Sequence, residues 1–216
     1  MSERRDKIPE PTIARLPSYF RCLVELQEAD QEIVSSEELA SLAGVKASQF
    51  RKDLSHFGEF GIQGLGYPVA DLLDRIAAIM QLDQDHDVVL VGAGNLGSAL
   101  ANFPGFSRWG FRIVRIYDQA PEKIGKRLHG VTIRDIADLP CPLGLKLGIL
   151  AVPPSGARTV AKLLIDSGVE ALLNFTGSNL GHPDVVVRNV DMTHELAILA
   201  YHLTGPLSRE DERPAR

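Results

Sequence analysis

The stretch that most restricts the fold is Val88–Leu100, Val-Val-Leu-Val-Gly-Ala-Gly-Asn-Leu-Gly-Ser-Ala-Leu. Four apolar residues in a row read as a strand buried on both faces. Gly92-x-Gly94-x-x-Gly97 follows directly, and a small-residue helix start follows the glycines. Strand, glycine turn and helix in that order form the phosphate-binding unit of a dinucleotide fold. Gly92 permits the tight turn, Gly94 admits the pyrophosphate to the backbone, and Gly97 lets the helix lie close on the strand. Free N–H groups at the helix start, with the aligned peptide dipoles, favour an anion there. Gly92, Ala93, Gly94, Asn95, Leu96 and Gly97 are therefore candidate cofactor contacts.

Asp118 lies 21 residues beyond Gly97, at the end of a second apolar run, Ile113–Tyr117. At that spacing a carboxylate accepts hydrogen bonds from the adenosine ribose and repels a 2′-phosphate, which favours NAD(H) over NADP(H). The alternative is a turn or helix-capping aspartate, and the nearby Lys123 weakens the discrimination. Further apolar runs near 131–133, 147–152, 171–175 and 185–190 alternate with helical segments at 95–102, 155–167 and 192–203, as in a doubly wound parallel sheet. Val152-Pro153 closes one such strand and lines the expected nucleotide crevice.

The N-terminal third has a different character. Thr12 is placed to cap a first helix, which Pro17 either interrupts or restarts as its main segment, and Leu16, Phe20, Leu23 and Val24 give that helix an apolar face. Ser35 and Glu38 form a capping-box pattern for a short second helix. A third helix, about Lys46 to His56, carries Lys46, Ser48, Gln49, Arg51, Lys52 and Ser55, donors suited to phosphates and base edges, opposed only by Asp53. Taken alone, such a helix is more often a solvated face. The next stretch, residues 58–67, holds four glycines and two aromatics and reads as a β-hairpin, with Gln63 a further donor. Three helices and a glycine-rich hairpin make a winged helix-turn-helix, whose partner is double-stranded DNA. Pro68 then opens a linking helix to about Met80.

The fold class is thus α/β: a winged helix-turn-helix and linking helix over 1–80, a Rossmann-type domain over 87–191, a C-terminal helix over 192–205 and a charged, disordered tail over 206–216. The net charge of −5 across 216 residues excludes an indiscriminate nucleic-acid binder, so DNA contact must come from a local patch. No apolar run approaches the ~20 residues of a membrane helix, and the start lacks a signal-peptide core; the expected compartment is the cytoplasm. Cys22 and Cys141 have no metal-ligand or disulfide spacing, and the six histidines show no ligand pairing, so no metal is expected.

The order of Arg15-Leu16-Pro17, Ala47–Ser55, Phe57–Gly61 with Gly64–Tyr67, and Gly92–Ala101 with Pro104–Phe106 resembles the redox-sensing repressors of the Rex family over about residues 8–205. The resemblance implies a homodimer that exchanges its last helix between subunits, binds inverted-repeat operators with NAD+ and is released by NADH. It also implies that Ser48–Ser55 is the recognition helix, that Asp118 is the ribose ligand, that Phe103 lies by the nicotinamide, and that Arg21 and Asp191 form an interdomain charge pair. Asp191 is placed equally well to cap the last helix. Two positions depart from the family pattern: Phe103 stands where many relatives have tyrosine, and Ile62 where many have a basic residue. The rival reading, an NAD-dependent oxidoreductase, lacks a catalytic base and room for a substrate domain. In a third, the Rossmann unit only dimerises a DNA-binding protein.

Overall fold

The computed structural model describes residues 8–62 and 64–203, which form two compact units meeting between Asp85 and His86. Gln63, the tail 206–216 and residues 204–205 of the terminal helix lie outside the described residues.

The first unit opens with α1, Glu10–Glu28, one uninterrupted helix of 19 residues that runs through Pro17. Pro17 does not interrupt it, because Thr12 and Leu16 on one side and Tyr19, Phe20 and Leu23 on the other are all buried. Packing of an apolar face outweighs the lost backbone hydrogen bond. The cap is Pro9, whose carbonyl accepts from Thr12 N at 2.8 Å; Thr12 itself is inside the helix and buried. After strand β1, Ile33–Val34, comes α2, Ser36–Leu42, capped as its sequence predicts by Ser35 Oγ accepting from Glu38 N at 3.1 Å. Gly44, at φ +68°, turns the chain into α3, Ala47–Ser55. Phe50 of α3 meets Tyr19 edge-on at 5.1 Å and Tyr67 at 5.4 Å, anchoring the helix at the centre of the unit.

The expected hairpin is small. Its described part is a single antiparallel bridge, Ile62 to Gly66, before β2, Tyr67–Pro68, pairs antiparallel with β1. Gly66 sits at φ +111°, where a Cβ would press on the Val34 carbonyl oxygen at 2.7 Å, so glycine is needed for the return strand to close on β1. The linking helix α4, Val69–Met80, buries Val69, Leu72, Leu73 and Ile76 and packs on α1.

The second unit is a seven-stranded sheet in the order β5-β6-β4-β3-β7-β8-β9. Its strands are β3 (His86–Val91), β4 (Phe111–Asp118), β5 (Arg127–Leu128), β6 (Val131–Asp135), β7 (Leu147–Leu150), β8 (Ala171–Asn174) and β9 (Val186–Asn189). All neighbours are parallel except β5 and β6. Helix α5, Asn95–Ala101, and the short α6, Pro104–Arg108, which periodicity did not predict, lie between β3 and β4. Helix α7, Ala157–Asp166, covers the opposite face, where Val160, Ala161 and Leu164 pack with Val89, Val91 and Leu150. Strand order reverses between β3 and β7, and a crevice at the carboxyl ends of those strands is where open α/β sheets bind ligands. Helix α8, Met192–Leu203, buries none of its residues.

Candidate nucleotide and nucleic-acid sites

The glycine turn stands at the carboxyl end of β3, beside that reversal point. Gly92, at φ +102°, is so close to β7 that a Cβ would fall on the Ala151 carbonyl and meet Val152 Cγ1 at 3.1 Å. A Cβ at Gly97 would fall on the Gly92 carbonyl oxygen, so α5 and the turn are in backbone contact. Gly94 differs from both: it has an ordinary φ of −79°, and a Cβ there would meet nothing within 4 Å. Folding explains the first and third glycines and leaves the second open to the space in front of the helix start. There the N–H groups of the first helical turn have no partner within the helix.

Asp118 ends β4 next to this turn and is 6 % exposed. Its Oδ2 accepts from Ala93 N at 2.7 Å and from Lys123 Nζ at 3.1 Å, and its Oδ1 from Ala120 N at 2.8 Å. Burial raises its pKa, but the bonds from Ala120, Ala93 and Lys123 outweigh that and hold the carboxyl below its usual range. Asp118 is therefore an anion that pins the glycine turn to β4, and Lys123 neutralises it. Val152 and Pro153 follow β7 at the same edge.

Phe103 directly precedes α6. It caps α6, is 54 % exposed, meets Phe106 edge-on at 5.2 Å, and lines an apolar cavity of about 420 Å³. That cavity runs over the α6 face of the sheet, past Trp109, Ile113, Leu147 and Leu173. Asp191 is exposed and caps α8, the second of the two roles its position offers, its Oδ1 accepting from Thr193 N at 2.9 Å and His194 N at 3.2 Å. Arg21 is an exposed residue of α1.

In the first unit, the residues read as DNA contacts divide into two sets. Lys46, Ser48 and Lys52 are exposed, and none has a side-chain partner among the described residues. Gln49 instead donates from Nε2 to Asp53 Oδ1 at 2.9 Å, and Arg51 donates from Nη1 to Ser36 Oγ at 2.6 Å and Glu37 Oε1 at 2.9 Å. Ser55 donates to the Lys52 carbonyl at 2.7 Å. Asp53 is not an opposing surface charge: it is fully buried. Arg15 Nε and Nη2 reach it at 2.6 and 2.7 Å, Tyr19 Oη at 2.7 Å and Thr12 Oγ1 at 3.0 Å. This hub, tying α1 to α3, has no local sequence signal, since its partners in α1 lie 34 to 41 residues away.

Among the described residues, no group of three or more His, Cys, Asp or Glu is placed to hold a metal, and no helix is long and apolar enough to cross a membrane. Two family models match the chain: "Putative DNA-binding protein N-terminus" over residues 7–55 and "CoA binding domain" over residues 83–177. The chain is 44 % identical over 199 residues to a redox-sensing transcriptional repressor Rex of Streptomyces avermitilis, covering 90 % of this chain and 79 % of that protein. Among solved structures it is similar to the repressor RSP bound to β-NAD+ and operator DNA, with a TM-score of 0.86, 37 % identity, and coverage of 91 % of this chain and 93 % of the other. RSP bound to β-NADH is similar at a TM-score of 0.82 and 34 % identity, covering 92 % of this chain and 95 % of the other.

Proposed function

The chain belongs to the Rex family of redox-sensing transcriptional repressors, and from that premise we propose that it represses transcription by holding operator DNA and lets go when NADH occupies the Gly92–Gly97 turn. The observation that carries the sensing half is Gly94. Its missing side chain answers no need of the fold, and the space it leaves lies at an unpaired helix N-terminus beside the strand-order reversal.

The residues present fit a dinucleotide. The 92–97 turn would take the pyrophosphate, Asp118 and Lys123 the adenosine ribose, and Val152 and Pro153 the wall of the crevice. NAD(H) supplies a nicotinamide ring that is cationic when oxidised and neutral when reduced. The chain's own charges, Asp191 and Arg21, are proposed to read that difference between the units.

On the DNA side, Lys46, Ser48 and Lys52 would make the direct contacts of α3, with Gln63 joining them. Gln49, Arg51 and Ser55 would have to exchange an internal hydrogen bond for one to DNA. Two apolar surfaces of the second unit support a homodimer with exchanged terminal helices: the cavity beside Phe103, and α8, where Leu196, Leu199, Tyr201 and Leu203 are all exposed. A repressor of this kind acts in the cytoplasm, where the DNA is, and carries out no bond-making step.

A gel shift on an inverted-repeat duplex tests the reading, run with NAD+, NADH, CoA and no ligand. Retardation in all lanes but the NADH lane is expected. Release by CoA and not by NADH, or by no ligand, overturns it. Linkage requires that NADH bind the operator complex more weakly than the free protein by the factor through which it weakens DNA binding, about 5- to 150-fold for common allosteric couplings. Salt gives a further check. Lys46→Ala and Lys52→Ala are each expected to lower the slope of log affinity against log salt by about one, uniformly across operator sequences. An unchanged slope would remove that lysine from the interface.

A further inference from the structure

The carboxyl ends of β8 and β9 hold a closed network built on two asparagines that the reading above does not use. Asn174, buried at the end of β8, donates from Nδ2 to the Ser178 carbonyl and to Asn189 Oδ1, both at 2.7 Å. Its Oδ1 accepts from Thr176 N at 3.0 Å and Thr176 Oγ1 at 2.7 Å. Asn189, the last residue of β9, accepts from Leu180 N at 3.1 Å through Oδ1. It donates from Nδ2 to Asn179 Oδ1 at 3.0 Å and the Leu180 carbonyl at 2.9 Å. A side-chain amide has two donor hydrogens and two acceptor lone pairs. Both amides have spent all four, so neither has capacity left to hold a ligand.

The network is continuous with the glycine turn at one end and with α8 at the other. Gly92 abuts Ala151 and Val152 at the end of β7, and Phe175 N donates to the Leu150 carbonyl at 2.9 Å, joining β7 to β8. At the far end, Val190 N donates to the Asn174 carbonyl at 2.8 Å, and the next residue, Asp191, caps α8. Of the two amides Asn174 is buried, and a satisfied buried amide favours one arrangement, because any slip leaves a polar group unpaired. The edge of β8, the 175–180 loop and the first turn of α8 are thereby bound to move as one body.

We propose that Asn174 and Asn189 are positioning residues that pass the state of the Gly92–Gly97 turn to the start of α8. The inference rests on the repressor reading, in which NADH at that turn releases DNA. Asn189 is the residue to change, because it is exposed and its loss leaves the buried strands in place. In full-length Asn189→Ala, the NADH affinity of the free protein and the operator affinity without NADH are expected to stay within about threefold of wild type. The factor by which NADH weakens operator binding is expected to fall below about threefold. A residue that only stabilised the fold would shift the melting temperature and leave that factor alone.

Coupling equal to wild type in a folded Asn189→Ala overturns the proposal, and so does a direct loss of NADH affinity. If Asn189→Ala fails to fold by circular dichroism, Asn189→Asp carries the test. It keeps the bond from Asn174 and loses both bonds given to the loop; a coupling at least threefold below wild type is expected, and an unchanged one overturns the proposal. A wild-type chain that shows no NADH response overturns the repressor reading itself, and that result is in hand before either variant is made.

Discussion

Replacement of Asp53 by alanine is expected to abolish operator binding while leaving NADH affinity unchanged. The carboxylate is fully buried and accepts from Arg15, Tyr19, Thr12 and Gln49, so it holds α3 against α1 from inside the first unit. Removing it strands a guanidinium whose side chain is 27 % exposed, together with two buried hydroxyls. Breaking a buried ion pair from one side costs about 3–5 kcal/mol, and the partial exposure of Arg15 favours the lower figure. Against a total of about 5–15 kcal/mol for a native domain, that is a large share. The second unit has its own sheet and core, so its ligand affinity should survive. Thermal melts followed by gel shift and NADH titration check this. Operator binding retained at the wild-type level would show that α3 does not depend on the hub.

The same residue has a defined pH signature. Burial raises the Asp53 pKa, but the hydrogen bonds from Arg15, Tyr19, Gln49 and Thr12 outweigh it and hold the carboxyl well below the ordinary range. A depressed carboxyl contributes stability that is complete above its unfolded value, about 3.9, and is lost as pH falls toward the folded one. The first unit should therefore keep this contribution throughout pH 5 to 8 and lose it only below about pH 4. Unfolding followed by circular dichroism across that range checks the sign; a loss of stability centred near pH 6 would place the titration on another group.

What could be read in the chain beforehand divides along the range of the interactions. Val88–Val91, the three glycines, the Ser35 cap and the stripe of α4 are local patterns, and each is found where its spacing puts it. The alternation of apolar runs and helical segments pointed to a doubly wound parallel sheet, but not to the order of its strands or to the antiparallel β5. Long-range partners left no comparable trace. Asp53 looked like a lone acid on a basic helix because Arg15 and Tyr19 are 38 and 34 residues away. Pro17 suits a break or a helix start equally well, and the burial that carries α1 through it comes from other elements. Gln49 and Arg51 have the side chains of a reading helix, yet both are engaged within the unit, which no spacing on α3 discloses. The asparagines at the ends of β8 and β9 matter as a pair only once parallel pairing sets Asn174 opposite Asn189.

Two one-carbon changes in the glycine turn are expected to fail in opposite ways. Gly97→Ala puts a methyl group on the Gly92 carbonyl oxygen, where the obstacle is backbone and cannot swing aside. Overpacking in a tight core commonly costs about 1–3 kcal/mol, and a clash with main chain belongs at or above the top of that range. The Gly97→Ala chain should melt early in its second unit and lose NADH binding because the fold is lost. Gly94→Ala adds its methyl group to open space at an ordinary backbone angle, so its melting temperature should match the wild type. That space is where a pyrophosphate would approach the backbone, and a methyl group there would hold the phosphates off the N–H groups of the helix start. NADH affinity is therefore expected to fall at least tenfold in a fully folded protein, and operator binding should become indifferent to NADH. Calorimetry beside an NADH titration separates the two variants. Wild-type NADH affinity in Gly94→Ala would show that the ligand does not pass over this turn, and would transfer the open space at Gly94 from function back to chance.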